Sequence, residues 1–300
     1  MRFLFFGVQL SKYSKGLNNM NILARKLWFT LTKPARVAVL DYEVNPAPLY
    51  TNEKGPHERL FKIISQSNED YIQLVKKSIR FKPAFEKIPR DSKNEKLPAW
   101  ENGFFPSVDT IMLYTLLENF RPKMYVEIGS GNSTKVAAFC RKQEKIRYSI
   151  TSIDPHPRRE IREIADLWFE KPIQQVELDL FKSLEPNDIL FMDGSHVLHA
   201  NSDVMWFFLE ILPAIPKGVI IHIHDIFLPY DYPLWFCQRF FSEQYILASC
   251  LLNSEYYKII CPNYYVLNEN ICPGVWEELW KIPTLNSVEK TGRSFWFTKV

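Results

Sequence analysis

Cysteine and glycine are scarce in this 300-residue chain, at 5 and 10 copies. The cysteines (Cys140, Cys237, Cys250, Cys261, Cys272) are odd in number and none belongs to a CxxC pair, which argues against a disulfide framework or a thiolate zinc knuckle. Set largely among apolar neighbours, they read as reduced core thiols, and a cytoplasmic setting is the expectation. No run of lysine or arginine resembles a nucleic-acid-binding tail, and the net charge of +3 is mild, so no nucleic-acid partner is expected. The apolar opening, residues 1–10, is short for a spanning helix and lacks a small-residue cleavage site, so neither a transmembrane segment nor a signal peptide is expected. Internal repeats and low-complexity tracts are also lacking.

What is present suffices for a full α/β domain and an additional segment, since 46% of residues are hydrophobic and 24% charged. The organising stretch is Met124-Tyr-Val-Glu-Ile-Gly-Ser-Gly-Asn-Ser-Thr-Lys-Val-Ala-Ala138. It reads as a buried strand, a glycine turn and the start of a helix. Gly129 and Gly131 allow a sharp turn, with Ser130 between them, and leave no Cβ against a ligand. Ser133 or Thr134 is placed to cap the helix, so its free N–H groups face whatever lies on the turn. A dinucleotide fingerprint needs a third glycine where this chain has Thr134. Glu127, two residues before Gly129, would repel a pyrophosphate but suits the ammonium of an amino-acid-bearing nucleoside. The stretch resembles the first motif of class I S-adenosylmethionine-dependent methyltransferases, with Ser133 where many members carry a further glycine.

Around this motif the pattern predicts a doubly wound, mostly parallel, seven-stranded Rossmann-like α/β sheet over residues 98–300, preceded by an N-terminal extension over 1–97. In the extension, 21–32 has the spacing of an amphipathic helix that can dock a membrane surface, its own domain or a second copy of the chain. Met20 offers an alternative start. A brief strand is expected at 36–40, proline interrupts 33–60, and two short helices are expected within 57–81. A leader helix over 110–120 follows, with Asp109 at its entrance, either reaching the cofactor or favouring the helix dipole. Further strands are expected at 148–154, 173–180, within 188–196 (the strand and its loop), 218–226 and 256–260, with helices at 158–169, 200–212 and 234–252. A last strand at 294–298 is placed to insert antiparallel.

Asp154 ends the second strand and follows Gly131 by 23 residues (154 − 131), close to the ~20 expected for an acid that binds ribose hydroxyls. In the methyltransferase pattern an acid after the third strand lies beside the adenine, which the resemblance carries onto Asp179. Asp193, His224 and Asp225 follow the fourth and fifth strands and can bind one divalent cation, Mg²⁺ or another. His196, three residues beyond Asp193, is then the candidate general base. Adjacent strand residues face opposite ways, so His224 and Asp225 can share an ion only where the strand has ended or twisted. His222, in mid-strand, reads as a core histidine. The runs Asp193-Gly-Ser-His196, Gly218-Val-Ile-Ile-His-Ile-His-Asp-Ile226 and Ser242-Glu-Gln-Tyr-Ile-Leu247 are similar to a bacterial branch of class I methyltransferases. More distantly, they resemble metal-dependent O-methyltransferases acting on macrolide sugars. There the matching Asp ligates magnesium and the matching His is the base; this chain has His224-Asp225 where those enzymes carry two acids.

The function expected is S-adenosylmethionine-dependent methylation of a hydroxyl on a sugar or other small molecule. Two alternatives stand beside it: a metal-dependent hydrolase using Asp193, His224 and Asp225, and a cofactor-binding module without turnover.

Overall fold

The computed structural model describes residues 41–300 together with Ala24, Leu27, Leu31 and Thr32, which are helical. The apolar opening, Met20, most of the 21–32 helix and the expected strand at 36–40 lie outside the described residues. The chain divides into two compact units, Met1–Asn45 and Pro46–Val300. No helix among the described residues is long and apolar enough to cross a membrane.

The larger unit begins well before the boundary expected at residue 98. Helix α1 (Glu58–Ser65) starts where the His57 ring accepts from the Leu60 N–H, and it buries Leu60 and Ile64. Helix α2 (Asn68–Lys77) buries Tyr71, Leu74 and Val75, and the Tyr71 hydroxyl donates to the Ile64 carbonyl at 2.8 Å. These side chains share one hydrophobic core with Phe85, Val108 and the strands. Residues 46–97 are therefore integral to the sheet-bearing unit.

Helix α3 (Ser107–Phe120) leads into β1 (Met124–Ile128), followed by α4 (Asn132–Gln143), β2 (Ser149–Ile153), β3 (Leu167–Phe169), β4 (Ile189–Met192) and β5 (Ile220–Ile223). Helices α5 (Glu243–Asn253) and α6 (Asn263–Asn268) flank β6 (Tyr257–Pro262), and β7 (Phe295–Lys299) closes the chain. The sheet order is β3-β2-β1-β4-β5-β7-β6. Strands β1 to β5 run parallel, and β7 is antiparallel to both β5 and β6. The sheet is open, and β4 and β5 are buried along their whole lengths, as strands covered on both faces require.

Two expected elements differ. The third strand is the three-residue β3, inside the span read as a helix, while 173–180 forms a 3-10 turn and the start of a short helix. The long helix expected over 234–252 is interrupted: Leu234–Cys237 ends, Phe240 takes a left-handed φ of 59°, and α5 begins at Glu243. That break lets Phe241 turn inward.

Candidate active site

Each central parallel strand continues its ladder one residue past its end. Asp154 N–H donates to the Phe169 carbonyl (3.0 Å), Gly129 to Ile153 (2.9 Å), Asp193 to Ile128 (2.9 Å) and His224 to Met192 (3.0 Å). These bonds line up Asp154, Gly129, Asp193 and His224 along the carboxyl edge of the sheet, where open α/β folds bind ligands. Gly129 has a φ of 82°, and a Cβ there would lie 2.0 Å from the Asp193 carbonyl oxygen. Its glycine is needed for the approach of β1 to β4, not for room around a ligand. A Cβ on Gly131 would meet nothing within 4 Å, so packing does not require a glycine there.

Asp154 Oδ2 accepts from the Ser130 N–H (3.1 Å) and hydroxyl (2.8 Å), and Oδ1 accepts from the His156 N–H at 2.7 Å. The carboxylate thus fixes the turn, and together with Gly129, Ser130 and Asp193 it lines a cavity of about 490 Å³. That volume falls in the range of small-molecule sites, about 300–1,000 Å³.

Three expected cofactor residues do not reach this cavity. Asp179 points to solvent, its side chain 89% exposed and paired with Lys182; Pro172, Ile173 and Gln174 occupy the wall instead. Because β3 comes earlier than expected, the acid is carried past the cleft. Asp109 is fully buried, accepting from Asn263 Nδ2 (2.8 Å), the Arg293 N–H (2.9 Å) and the Ser294 N–H (3.0 Å), and it pairs with His224 Nε2 at 3.1 Å. It braces the site rather than meeting a cofactor. Ser133 neither caps α4 nor faces the cleft: Gly131 is the cap residue, its N–H donates to Thr134 Oγ1 at 3.0 Å, and Ser133 turns inward to Glu127.

Glu127 is also enclosed. It accepts from the hydroxyls of Ser152 (2.6 Å), Ser133 (3.1 Å), Tyr125 (3.3 Å) and Thr134, so these groups satisfy it in place of a ligand ammonium. Burial pushes its carboxyl up from 4.5 to about 7 against those hydrogen bonds. A pKa raised by folding contributes stability that is fully present below 4.5 and is lost as pH rises through about 7. Glu127→Gln is expected to flatten the stability–pH profile across that window, an effect on the order of 3 kcal/mol. Urea melts on either side of neutrality check this, and a variant whose midpoint tracks the native protein throughout would refute it.

Beyond the cavity, four side chains converge. Asp193 Oδ1 lies 3.3 Å from His196 Nε2 and 3.5 Å from His224 Nδ1; Asp225 lies 3.6 Å from each of the same two nitrogens, through Oδ2 and Oδ1 respectively. His196 (φ 61°) and Asp225 (φ 56°) are both left-handed, a conformation costing non-glycine residues energy and concentrated at functional sites. This turn past Ile223, the last residue of β5, lets His224 and Asp225 share one site. Asp193 is free for such a role because Asp203, not Asp193, accepts from the Ser195 N–H (2.6 Å) and hydroxyl.

Each imidazole is held from behind by a buried carboxylate. His196 Nδ1 lies 2.9 Å from Glu243 Oε2, and its ring stacks on Phe241 with centroids 4.7 Å apart. His224 leans on Asp109. Burial works against protonation of His224, but the charges of Asp193 and Asp225 and the bond to Asp109 outweigh it and push the pKa up to about 10. Burial likewise opposes, and Asp193 and Glu243 outweigh, the protonation of His196, which is raised well above the usual histidine range. The Asp193 carboxyl is held well below its usual range, the two imidazoles overcoming burial. His222 stands apart, stacked between Phe191 (4.1 Å) and Trp296 (3.7 Å) within the core.

The sequence pattern did not single out Glu243, Arg293 or Asn263. Glu243 reads as a first-turn acid favouring the helix dipole; Arg293, whose Nη1 lies 3.1 Å from Asp225 Oδ1, precedes β7 with no motif around it. The available signals were an acid opening the largely apolar α5 and its place in the run Ser242–Leu247.

Residues 126–226 match the family model of a methyltransferase domain, a span holding Gly129, Asp154 and all four converging side chains. An uncharacterized protein of Archaeoglobus fulgidus is 33% identical over 97 residues, covering 29% of this chain and 42% of the relative. The chain thus spans less than half the length of that curated relative. Among solved structures, a Podospora anserina methyltransferase bound to SAH is similar at 14% identity and a TM-score of 0.39, covering 70% of this chain and 92% of that one. The O-methyltransferase from Bacillus cereus in complex with SAH is similar at 12% identity and a TM-score of 0.37, covering 81% and 99%. A branched-chain polyamine synthase mutein from Thermus thermophilus is similar at 12% identity and a TM-score of 0.37, covering 75% and 64%.

Proposed function

We propose that the chain, whose residues 126–226 match the family model of a methyltransferase domain, transfers the methyl group of S-adenosylmethionine to a hydroxyl oxygen of a sugar or other small molecule. The observation that carries the donor assignment is the charge of the cavity. Asp154, Asp193 and Asp203 line it, and among the described residues no lysine or arginine does. Such a wall attracts a sulfonium and an ammonium and repels the diphosphate of a dinucleotide. Asp154 keeps spare lone pairs for ribose hydroxyls, and Pro172 and Ile173 supply an apolar flank for an adenine.

Asp193 joins this cavity to the four-residue cluster, and its carboxylate is the cluster member that lines the cleft. An acceptor hydroxyl held there donates a hydrogen bond to the Asp193 carboxylate as its oxygen bonds to the methyl carbon, and its proton leaves to solvent once that bond has formed. The carbon–sulfur electron pair returns to sulfur, which leaves as a neutral thioether. Calorimetry on the purified protein is expected to show saturable heat with S-adenosylmethionine and with its demethylated product. Heat with NAD and none with either of these sinks the proposal. Asp154→Ala is expected to weaken nucleoside binding about 10- to 100-fold, the equivalent of lost charged hydrogen bonds; unchanged affinity removes the ribose role.

A further inference from the structure

We propose that the chain binds a small quaternary ammonium ion in a second cavity, walled by Tyr50, His57, Tyr230 and Tyr245 with Asp231 among them. The proposal stands on that cavity alone and does not rest on the methyl-transfer reading.

The cavity holds about 260 Å³, and none of the residues lining it lines the cleft at Asp154 and Asp193. It lies below the range of about 300–1,000 Å³ usual for drug-sized molecules, so its ligand is small. It forms where the segment 49–57 crosses the loop that follows β5. The Asp231 N–H donates to the Tyr50 carbonyl (2.9 Å), the His57 N–H to the Pro229 carbonyl (2.9 Å) and the Leu49 N–H to Asp231 Oδ2 (2.8 Å). Helix α5 supplies another wall through Gln244, whose Oε1 accepts from the Phe227 N–H (3.0 Å) and whose Nε2 donates to the Tyr230 carbonyl (3.3 Å). The walls are thus set before a ligand arrives, which lowers the ordering cost of binding.

The chemistry of the walls selects a cation. The rings of Tyr50 and His57, 5.0 Å apart and tilted by 59°, meet as a corner, and Leu60, Leu228 and Leu252 add apolar surface. Asp231 is the one carboxylate in the lining, and among the described residues no lysine or arginine lines the cavity. Aromatic rings around a lone negative charge attract an organic cation and repel an anion.

Asp231 also decides between kinds of cation. Its Oδ1 accepts from the Tyr245 hydroxyl (2.5 Å) and its Oδ2 from the N–H groups of Leu49 (2.8 Å) and Tyr50 (3.4 Å), so three of roughly four acceptor positions are filled. The Tyr230 hydroxyl is spent on Glu269 at 2.6 Å. Asp231 therefore offers its charge but little capacity for further N–H donors. A primary ammonium loses by each donor left unbonded. A quaternary ammonium has no such donors and is held by charge and ring faces, as in aromatic cages.

The test is calorimetry on the full-length protein with choline at constant ionic strength. Two comparison ligands are the neutral alcohol in which carbon replaces the charged nitrogen of choline, and ethanolamine, which carries a primary ammonium. The expected result is saturable, equimolar binding of choline with a Kd on the order of 1 mM or below, at least about 10-fold tighter than either comparison ligand. Asp231→Asn and Tyr245→Leu are each expected to weaken choline binding about 3- to 30-fold, whereas Tyr245→Phe, which keeps the ring, weakens it by no more than about 3-fold. On the native protein alone, the absence of saturable binding overturns the proposal, as does equal affinity for the neutral alcohol or for ethanolamine. Choline affinity equal to native in folded Asp231→Asn and Tyr245→Leu proteins also overturns it, since the ion then lies elsewhere, as in the acidic cleft. Calorimetry with S-adenosylmethionine on the same samples separates the two readings: nucleoside binding without choline binding overturns the ammonium site alone, and choline binding without nucleoside binding overturns methyl transfer alone.

Discussion

Gly129→Ala is expected to destabilise the protein by about 4 kcal/mol, combining a left-handed backbone penalty of about 1–2 kcal/mol with overpacking of about 1–3 kcal/mol. The added methyl group would sit 2.0 Å from the Asp193 carbonyl oxygen. That oxygen belongs to backbone fixed by the Asp193 N–H bond to Ile128, so it cannot move aside as a flexible side-chain end would. Either β1 and β4 separate at their carboxyl ends or the turn leaves its conformation, and both disturb the line of Asp154, Gly129, Asp193 and His224. Urea denaturation measures the loss, and calorimetry with S-adenosylmethionine should show binding weakened with it. Gly131→Ala is the control, since its Cβ would meet nothing and its φ of 169° is ordinary extended backbone; its stability is expected within about 0.5 kcal/mol of native. Equal losses in the two variants would refute the account of why the turn begins with glycine.

That contrast also marks how far the sequence could be read. The four strands that carry the site, β1, β2, β4 and β5, were visible because each is a short apolar run ending in a turn or a charged residue, and β7 was visible from its alternation of aromatic and polar residues. The strand-end positions of Asp154, Asp193 and His224 followed from the same pattern. β3 was not visible, because Leu167–Phe169 is three residues long and an edge strand needs no long apolar run; the error carried Asp179 into the site on paper and out of it in space. Glu127 and Asp109 were recognised as unusual acids, but whether such an acid faces a ligand or a ring of internal donors depends on hydroxyls and amides from distant segments. Ser152 and Ser294 leave no local signature of that role. The left-handed backbone at His196 and Asp225 is likewise a tertiary outcome, and it reconciles two adjacent residues with one site. Glu243 and Arg293 reach the cluster from distant parts of the chain, and only the fold brings them there.

Asp193→Asn is expected to lower kcat for methyl transfer about 1,000-fold while leaving the affinity for S-adenosylmethionine within a few-fold of native. The amide keeps the size of the side chain and the backbone bond from Asp193 N–H to the Ile128 carbonyl, so the strand ends and the turn bearing Ser130 stay in register. What changes is the charge between His196 and His224, 3.3 and 3.5 Å away. Without it, the acceptor hydroxyl loses the carboxylate it donates to, and the two rings lose a partner that Asp225 alone, 3.6 Å from each, does not replace. An effect confined to KM for the acceptor would mean that Asp193 binds substrate without joining the chemistry. A kcat within 10-fold of native, in a protein that still binds the nucleoside, would move the reaction away from this end of the cleft, since no other carboxylate of the cluster lines the cavity.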